Sequence, residues 1–312
     1  MGLTSFEDMI KDKISGNKNA HFMLVDGMSK LMTEEIKSCQ SSDFYVSGIK
    51  WSFCIRSDVK KDWLSFSMKI SDEKSFGSNW EVRCRVKYSA VTQSGQYKSW
   101  KVHAACYNPN NKMWEQETLI SHKVLKEYCL VNDKAVFYAE ITDVKLKSLN
   151  PVTNTPPTNC TAERIKLMEV PRNKSRYTWK ITRFSSFRGK GPTSYEFTVG
   201  QRKWLLVMCP KGDMHTDEHL SLFLNACDYV TNAPKGPTLA VFKMRVLDQF
   251  KRNHYEKESE HWFPYDPPTG SASGWSKFLP LEKLHDASNG YLVNDHLYIT
   301  VEFLFVSTTE NL

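Results

Sequence analysis

The chain has 312 residues, of which 40% are apolar, 12% aromatic and 25% charged. That is enough hydrophobic material for two domains of ordinary size, and it excludes a disordered chain. No apolar run approaches bilayer length, and Met1-Gly2-Leu3-Thr4-Ser5-Phe6-Glu7-Asp8 has neither a basic n-region nor an apolar h-region, so neither membrane insertion nor secretion is expected. The net charge of +7 is concentrated in residues 144–176, where seven basic side chains face two acidic ones. The rest is nearly balanced and lacks the basic stripe of a nucleic-acid-binding face.

In chain order, the pattern predicts a short helix over 6–14, then segments of period two. Leu64-Ser65-Phe66-Ser67-Met68-Lys69-Ile70 and Val82-Arg83-Cys84-Arg85-Val86 alternate cleanly, as half-buried strands do. A weak helical segment falls near 121–127 and is followed by the apolar run Val136-Phe137-Tyr138-Ala139-Glu140-Ile141. Residues 148–159, rich in Pro, Asn and Thr, read as a linker. Beyond it Val241-Phe242-Lys243-Met244-Arg245-Val246-Leu247 alternates again, with turn signals at Pro210-Lys211-Gly212-Asp213 and Asn289-Gly290 and a last short helix over 281–285.

The halves repeat. Leu130-Val131-Asn132-Asp133 recurs as Leu292-Val293-Asn294-Asp295, Leu64-Ser65-Phe66 matches Leu220-Ser221-Leu222, Trp51 matches Trp204, and Trp114 pairs with Trp275. The fold expected is all-β: two tandem antiparallel β-sandwiches with minor helix. The expected organisation is an N-terminal extension over 1–20, a first domain over 21–143, a basic, Pro-rich linker over 144–175 and a second domain over 176–307.

Eight cysteines lie at least 15 residues apart without a C-x-x-C pair, so they read as free thiols in a reducing compartment and not as a zinc site. His215-Thr216-Asp217-Glu218-His219 lacks the order of a helical H-E-x-x-H zinc motif. Cys209 before a turn reads as structural, and no hydrolase elbow, phosphate loop or dinucleotide fingerprint occurs. No enzyme activity, cofactor or metal is therefore expected.

The second half resembles the MATH domain, the meprin and tumour-necrosis-factor-receptor-associated-factor homology fold. The matching residues run in family order: Tyr177-Thr178-Trp179-Lys180-Ile181, Tyr195-Glu196-Phe197-Thr198-Val199-Gly200, Trp204-Leu205-Leu206, Pro210-Lys211-Gly212, His219-Leu220-Ser221-Leu222-Phe223-Leu224, Gly274-Trp275-Ser276-Lys277-Phe278-Leu279 and Asn289-Gly290-Tyr291-Leu292-Val293-Asn294-Asp295. The first half is similar but diverged: it keeps Trp51, Leu64-Ser65, Trp114 and Leu130-Val131-Asn132-Asp133, while His21-Phe22-Met23-Leu24 lacks the aromatic-plus-basic opening.

The resemblance implies an eight-stranded sandwich that binds extended peptides of partner proteins in a shallow groove. Its groove positions carry over to Phe223, Phe242, His261 and Trp275, with Trp262 expected in the core. Where the family often has Asp-Trp before the glycine, this chain has Ala272-Ser273, so one peptide-reading tryptophan is absent. In the first half the same mapping lands on Ser67 and Val82 and retains only Trp114, which implies that this domain has lost the groove.

The expectation is a non-enzymatic adaptor or scaffold that binds protein partners through short peptide motifs, mainly by its second domain, in the cytoplasm or alternatively the nucleus. Relatives with further modules act in ubiquitin transfer and signalling, and the domains and linker leave no room for such modules here, so any ubiquitin link would come through partners. The alternative is a structural, self-associating protein without a peptide ligand; the oligomeric state is left open.

Overall fold

The computed structural model describes residues 5–71, 76–148, 160–187, 191–213, 218–230, 236–264 and 272–312. The chain divides into two compact units, Met1–Leu167 with Thr309–Leu312, and Met168–Thr308. Both are mainly antiparallel β-sandwiches, as the alternating strands require.

In the first unit, helix α1 (Phe6–Ile14) is capped by Ser5, whose Oγ accepts from the Asp8 N–H at 3.2 Å, and it buries Phe6 and Ile10. One sheet contains β1 (Ala20–Asp26), β6 (Trp80–Val91), β7 (Tyr97–Tyr107), β9 (Lys134–Ser148) and β10 (Thr161–Glu169), in the order β10-β1-β9-β6-β7. The facing sheet has β2 (Ser38–Gln40), β3 (Phe44–Val46), β4 (Ile49–Asp58), β5 (Trp63–Ile70) and β8 (Met113–Ser121), with β3 paired to β4 and the order β2-β4-β5-β8. The alternation in β5 buries Leu64, Phe66, Met68 and Ile70. Short helices α2 (Met28–Met32) and α3 (His122–Tyr128) complete the unit; α2 was not legible in the sequence because a single turn carries no periodic signal.

The second unit repeats this plan. Its sheets are β16 (Tyr255–Phe263), β15 (Thr238–Val246), β19 (His296–Asn311) and β11 (Arg176–Ile181), and opposite them β12 (Phe197–Val199), β13 (Arg202–Cys209), β14 (His219–Tyr229) and β17 (Ala272–Pro280), each set in the order given. Helix α4 (Leu281–His285) and the two-residue β18 (Leu292–Val293) precede β19.

The sequence repeat has a physical cause in the turn between β18 and β19 and its counterpart before β9. Asn132 and Asp133 have φ of 49° and 63°, and Asn294 and Asp295 have 49° and 61°, which suits a two-residue hairpin loop with both residues left-handed. In each unit the aspartate then secures the chain that follows the opening strand. Asp133 accepts from the Ser29 N–H at 2.7 Å and the Ser29 hydroxyl at 2.8 Å, and Asp295 accepts from the Ser185 N–H and hydroxyl, both at 2.8 Å. Likewise Trp51 and Trp204 are fully buried and donate their indole N–H to the carbonyls of Val46 and Val199.

Two expectations need correction. Residues 144–175 are not connector throughout: β9 continues to Ser148, 149–159 lie outside the described residues, and Thr161–Glu169 is a strand running parallel to β1. Its apolar residues Ala162, Ile165 and Leu167 are buried, and Glu163 meets His21 at 3.0 Å with both side chains buried. Part of the local charge excess is also matched, since Arg164 pairs with Glu7 and Glu310, Lys166 with Glu310, and Arg176 with Glu302. The second correction concerns register. Leu64 opposes Ile120 and Leu220 opposes Leu279, so Trp114, opposite Met68, corresponds to Ser273, opposite Leu224; Trp275 corresponds to Gln116.

All eight cysteines are free thiols. Burial raises Cys54, Cys129 and Cys160 to about 11 and Cys84 to about 12, so each is a protonated packing group. Among the described residues no helix is long and apolar enough to cross a membrane, and no cluster of His, Cys, Asp and Glu could hold a metal. Residues 214–217 of the histidine-rich segment lie outside the described residues.

Candidate functional site

In the second unit β16 and β17 terminate their respective sheets. Among the described residues β17 is paired only with β14, which leaves its other backbone edge open. Along β16 the side chains of Tyr255, Lys257, Ser259, His261 and Phe263 share the face that ends in the core at Phe263. Trp275 of β17 is half-buried against that core, 6.3 Å from Phe242 and 5.5 Å from Phe278.

The four residues expected at the groove do not share one surface. Phe242 is fully buried among Phe263, Phe303 and Trp275, because its strand neighbours place it on the inner face with Met244 and Val246; it offers a ligand no surface. His261 lies beside Phe263 at 4.7 Å, edge to face, and burial lowers its pKa, so the ring is neutral near pH 7. Phe223 points away from the buried Leu222 and Leu224, onto the outer face of β14, opposite Gly274. Trp262 is only half-buried, and Phe263 takes the core position instead.

Gly274 explains how both faces of this edge stay accessible. A Cβ there would collide with the Leu222 carbonyl and lie 2.6 Å from the Phe223 Cα. Only glycine permits this approach of β17 to β14, and it leaves no side chain beside Phe223.

Two residues missed in the sequence help to fix this region. The Lys257 ammonium donates to the Lys277 carbonyl at 2.7 Å and lies 5.9 Å and 5.8 Å from the ring centres of Trp275 and Phe278, and burial lowers its pKa. Period two along β16 would have placed it on the face of His261. Arg202 is 1% exposed, and its guanidinium donates to the carbonyls of Phe263 at 3.2 Å and Pro264 at 2.8 Å, fixing the end of β16. A buried arginine at the start of an otherwise apolar alternation was the available signal.

One cluster in the first unit has the outline of a nucleophile relay. Ser57 Oγ lies 3.1 Å from His122 Nε2, and His122 Nδ1 lies 3.2 Å from Asp62. Burial lowers the His122 pKa, so the neutral ring donates from Nδ1 and accepts from Ser57. The Ser57 N–H is committed to the Lys37 carbonyl, and Ser57 is 8% exposed within β4. The relay fastens the β4–β5 hairpin to the start of α3.

An open strand edge beside half-buried aromatic rings is a surface to which an extended segment can add as a further strand. The MATH domain model matches residues 20–141 and 176–303, and the chain belongs to this family. An Arabidopsis thaliana MATH domain and coiled-coil domain-containing protein is 35% identical over 135 residues, covering 41% of this chain and 38% of the relative. Ubiquitin C-terminal hydrolase 12 of Arabidopsis thaliana is 33% identical over 128 residues, 41% of this chain but only 11% of that enzyme. Among solved structures, TRAF5 of Notothenia coriiceps matches 42% of this chain and 73% of its own, at 24% identity and a TM-score of 0.35. The match spans less than half the length of the two Arabidopsis relatives.

Proposed function

We propose that the chain is a peptide-capturing adaptor whose second unit takes up an extended segment of a partner protein along the open edge of β17. The observation that carries this reading is the exposed edge itself, flanked on its two faces by different rings. A peptide added as a further strand sends alternate side chains to opposite faces. One set meets Trp275, Lys257 and His261, and the other meets Phe223 across Gly274. The absence of a ring at Ser273 leaves Trp275 as the main inner anchor. Free thiols fit a reducing compartment, the cytoplasm or nucleus. Any ubiquitin connection runs through what the peptide belongs to.

The test is binding of the full chain to a peptide array, compared with Trp275→Ala and with Phe223→Ser, which reproduces the residue of the first unit. Loss of an aromatic anchor costs about 2 kcal/mol, roughly a 30-fold weaker Kd. Thermal melting of each variant separates lost binding from lost folding. Variants that fold and bind like the parent chain would remove the site from β17.

A further inference from the structure

We infer that the second unit joins copies of this chain head to tail, by pairing the β16 edge of one copy with the β11 edge of the next. Among the described residues β16 is paired only with β15 and β11 only with β19, so the sheet β16-β15-β19-β11 ends in two strands that each have one unpaired backbone edge. Such edges are templates for a further strand. In the first unit the matching edge, that of β1, is already covered by β10. In the second no described strand covers it.

The charges on the outer face of this sheet decide which edge meets which. Strand register sets Arg176, Glu302, Lys243 and Glu258 in one row straight across the four strands, from β11 through β19 and β15 to β16. Neighbours in the row alternate in sign, with Arg176 3.2 Å from Glu302 and Lys243 3.7 Å from Glu258. Arg245 braces it from the side, 2.6 Å from Glu302 and 2.7 Å from Glu256. The row ends on a cation at one edge and an anion at the other, and both terminal side chains stay exposed, 56% for Arg176 and 52% for Glu258.

A second copy set beyond β16 continues the alternation. Each strand of the sheet is antiparallel to its neighbour, so the incoming β11 runs antiparallel to β16 with its outer face on the same side. Arg176 then lies opposite Glu258, with Glu256 and Glu260 on its diagonals. Pairing like edges does the reverse. β11 against β11 about Thr178 sets Arg176 against Lys180, and β16 against β16 about Glu258 sets Glu256 against Glu260; like charges directly opposite destabilise a strand pair. Exposed ion pairs contribute little by themselves, so the backbone ladder supplies the association while the charges select edge and register. A head-to-tail contact also leaves one edge of each kind free after every addition, so growth does not stop at two copies. The contact does not depend on the peptide reading of β17.

The experiment is sedimentation velocity on the full chain over a range of concentrations, with Arg176→Glu, Glu258→Lys, the double variant and an equimolar mixture of the two single variants. The parent chain should grow beyond a dimer as concentration rises, and each single variant should associate at least tenfold more weakly. Association should return in the double variant and in the mixture, where opposite charges meet again across the contact. A parent chain that stays monomeric or stops at a dimer overturns the proposal, as do single variants that associate like the parent or a mixture that fails to recover. Melting temperatures show whether each variant is folded, and hydrogen exchange of the parent chain decides the question without any variant. Rising concentration should protect the amides of 176–181 and 255–263 together; protection of neither, or of one strand alone, overturns the head-to-tail contact.

Discussion

At matching places beside their open edges, the first unit has Tyr88, His103 and Trp114 where the second has Met244, Ser259 and Ser273, and the second has Phe223, His261 and Trp275 where the first has Ser67, Ala105 and Gln116. The ring content is similar; its location is exchanged. Beneath it the two units share the aspartate-anchored hairpin, the buried tryptophan and the strand order. Two edges on one scaffold therefore present different arrangements of rings without any change in how the units fold.

The strongest way to break this comparison is Phe242→Ala. A fully buried ring predicts a loss of about 3–5 kcal/mol, seen as a lower melting temperature, with the first unit unaffected by hydrogen exchange. A normal melting temperature with lost peptide binding would return Phe242 to the groove.

A smaller, symmetric effect is expected at the turns. Asp133→Ala and Asp295→Ala each remove two hydrogen bonds from a carboxylate, about 2 kcal/mol in these half-exposed positions, and the two losses should be equal within measurement. Unequal losses in denaturant titration would show that the shared motif does unequal work in the two units.

The smallest effect is pH dependence. His122 and His261 both have pKa values lowered by burial. Below the unfolded-state pKa of about 6.5 the unfolded chain binds more protons than the native one, so stability present at pH 7 declines as pH falls through 6 toward the native values. His122→Gln should flatten this slope in the first unit and His261→Gln in the second. An unchanged slope in either variant would locate the titrating group elsewhere.

Much of this was legible in the sequence. The repeated Leu-Val-Asn-Asp segments, Trp51 with Trp204 and Leu64 with Leu220 identified the duplicated sandwich and the family, because each is tied to a local backbone requirement that leaves few alternatives. Helices α1 and α4 lie over the residues where the sequence pattern predicted them. The site was less legible, for two physical reasons. Strand alternation says that Phe223 and Phe242 each face one side but not which side is inward, and only the facing sheet decides that. Sequence order also paired Trp114 with Trp275, whereas hydrogen-bond register separates them by two positions. Strand β10 was hidden for a different reason: the Pro-rich stretch before it suggested connector, although Ala162, Ile165 and Leu167 supply a short buried face.

The outer edge of β10 has a consequence for biosynthesis. The Leu312 N–H bonds the Ala162 carbonyl at 3.0 Å, and Glu310 pairs with Arg164 and Lys166. Those closing residues leave the ribosome only after the whole second unit has been made. A nascent first unit must therefore wait, with one strand edge uncovered, until residues 309–312 have been translated, and a chain stopped before Thr309 would keep that edge open.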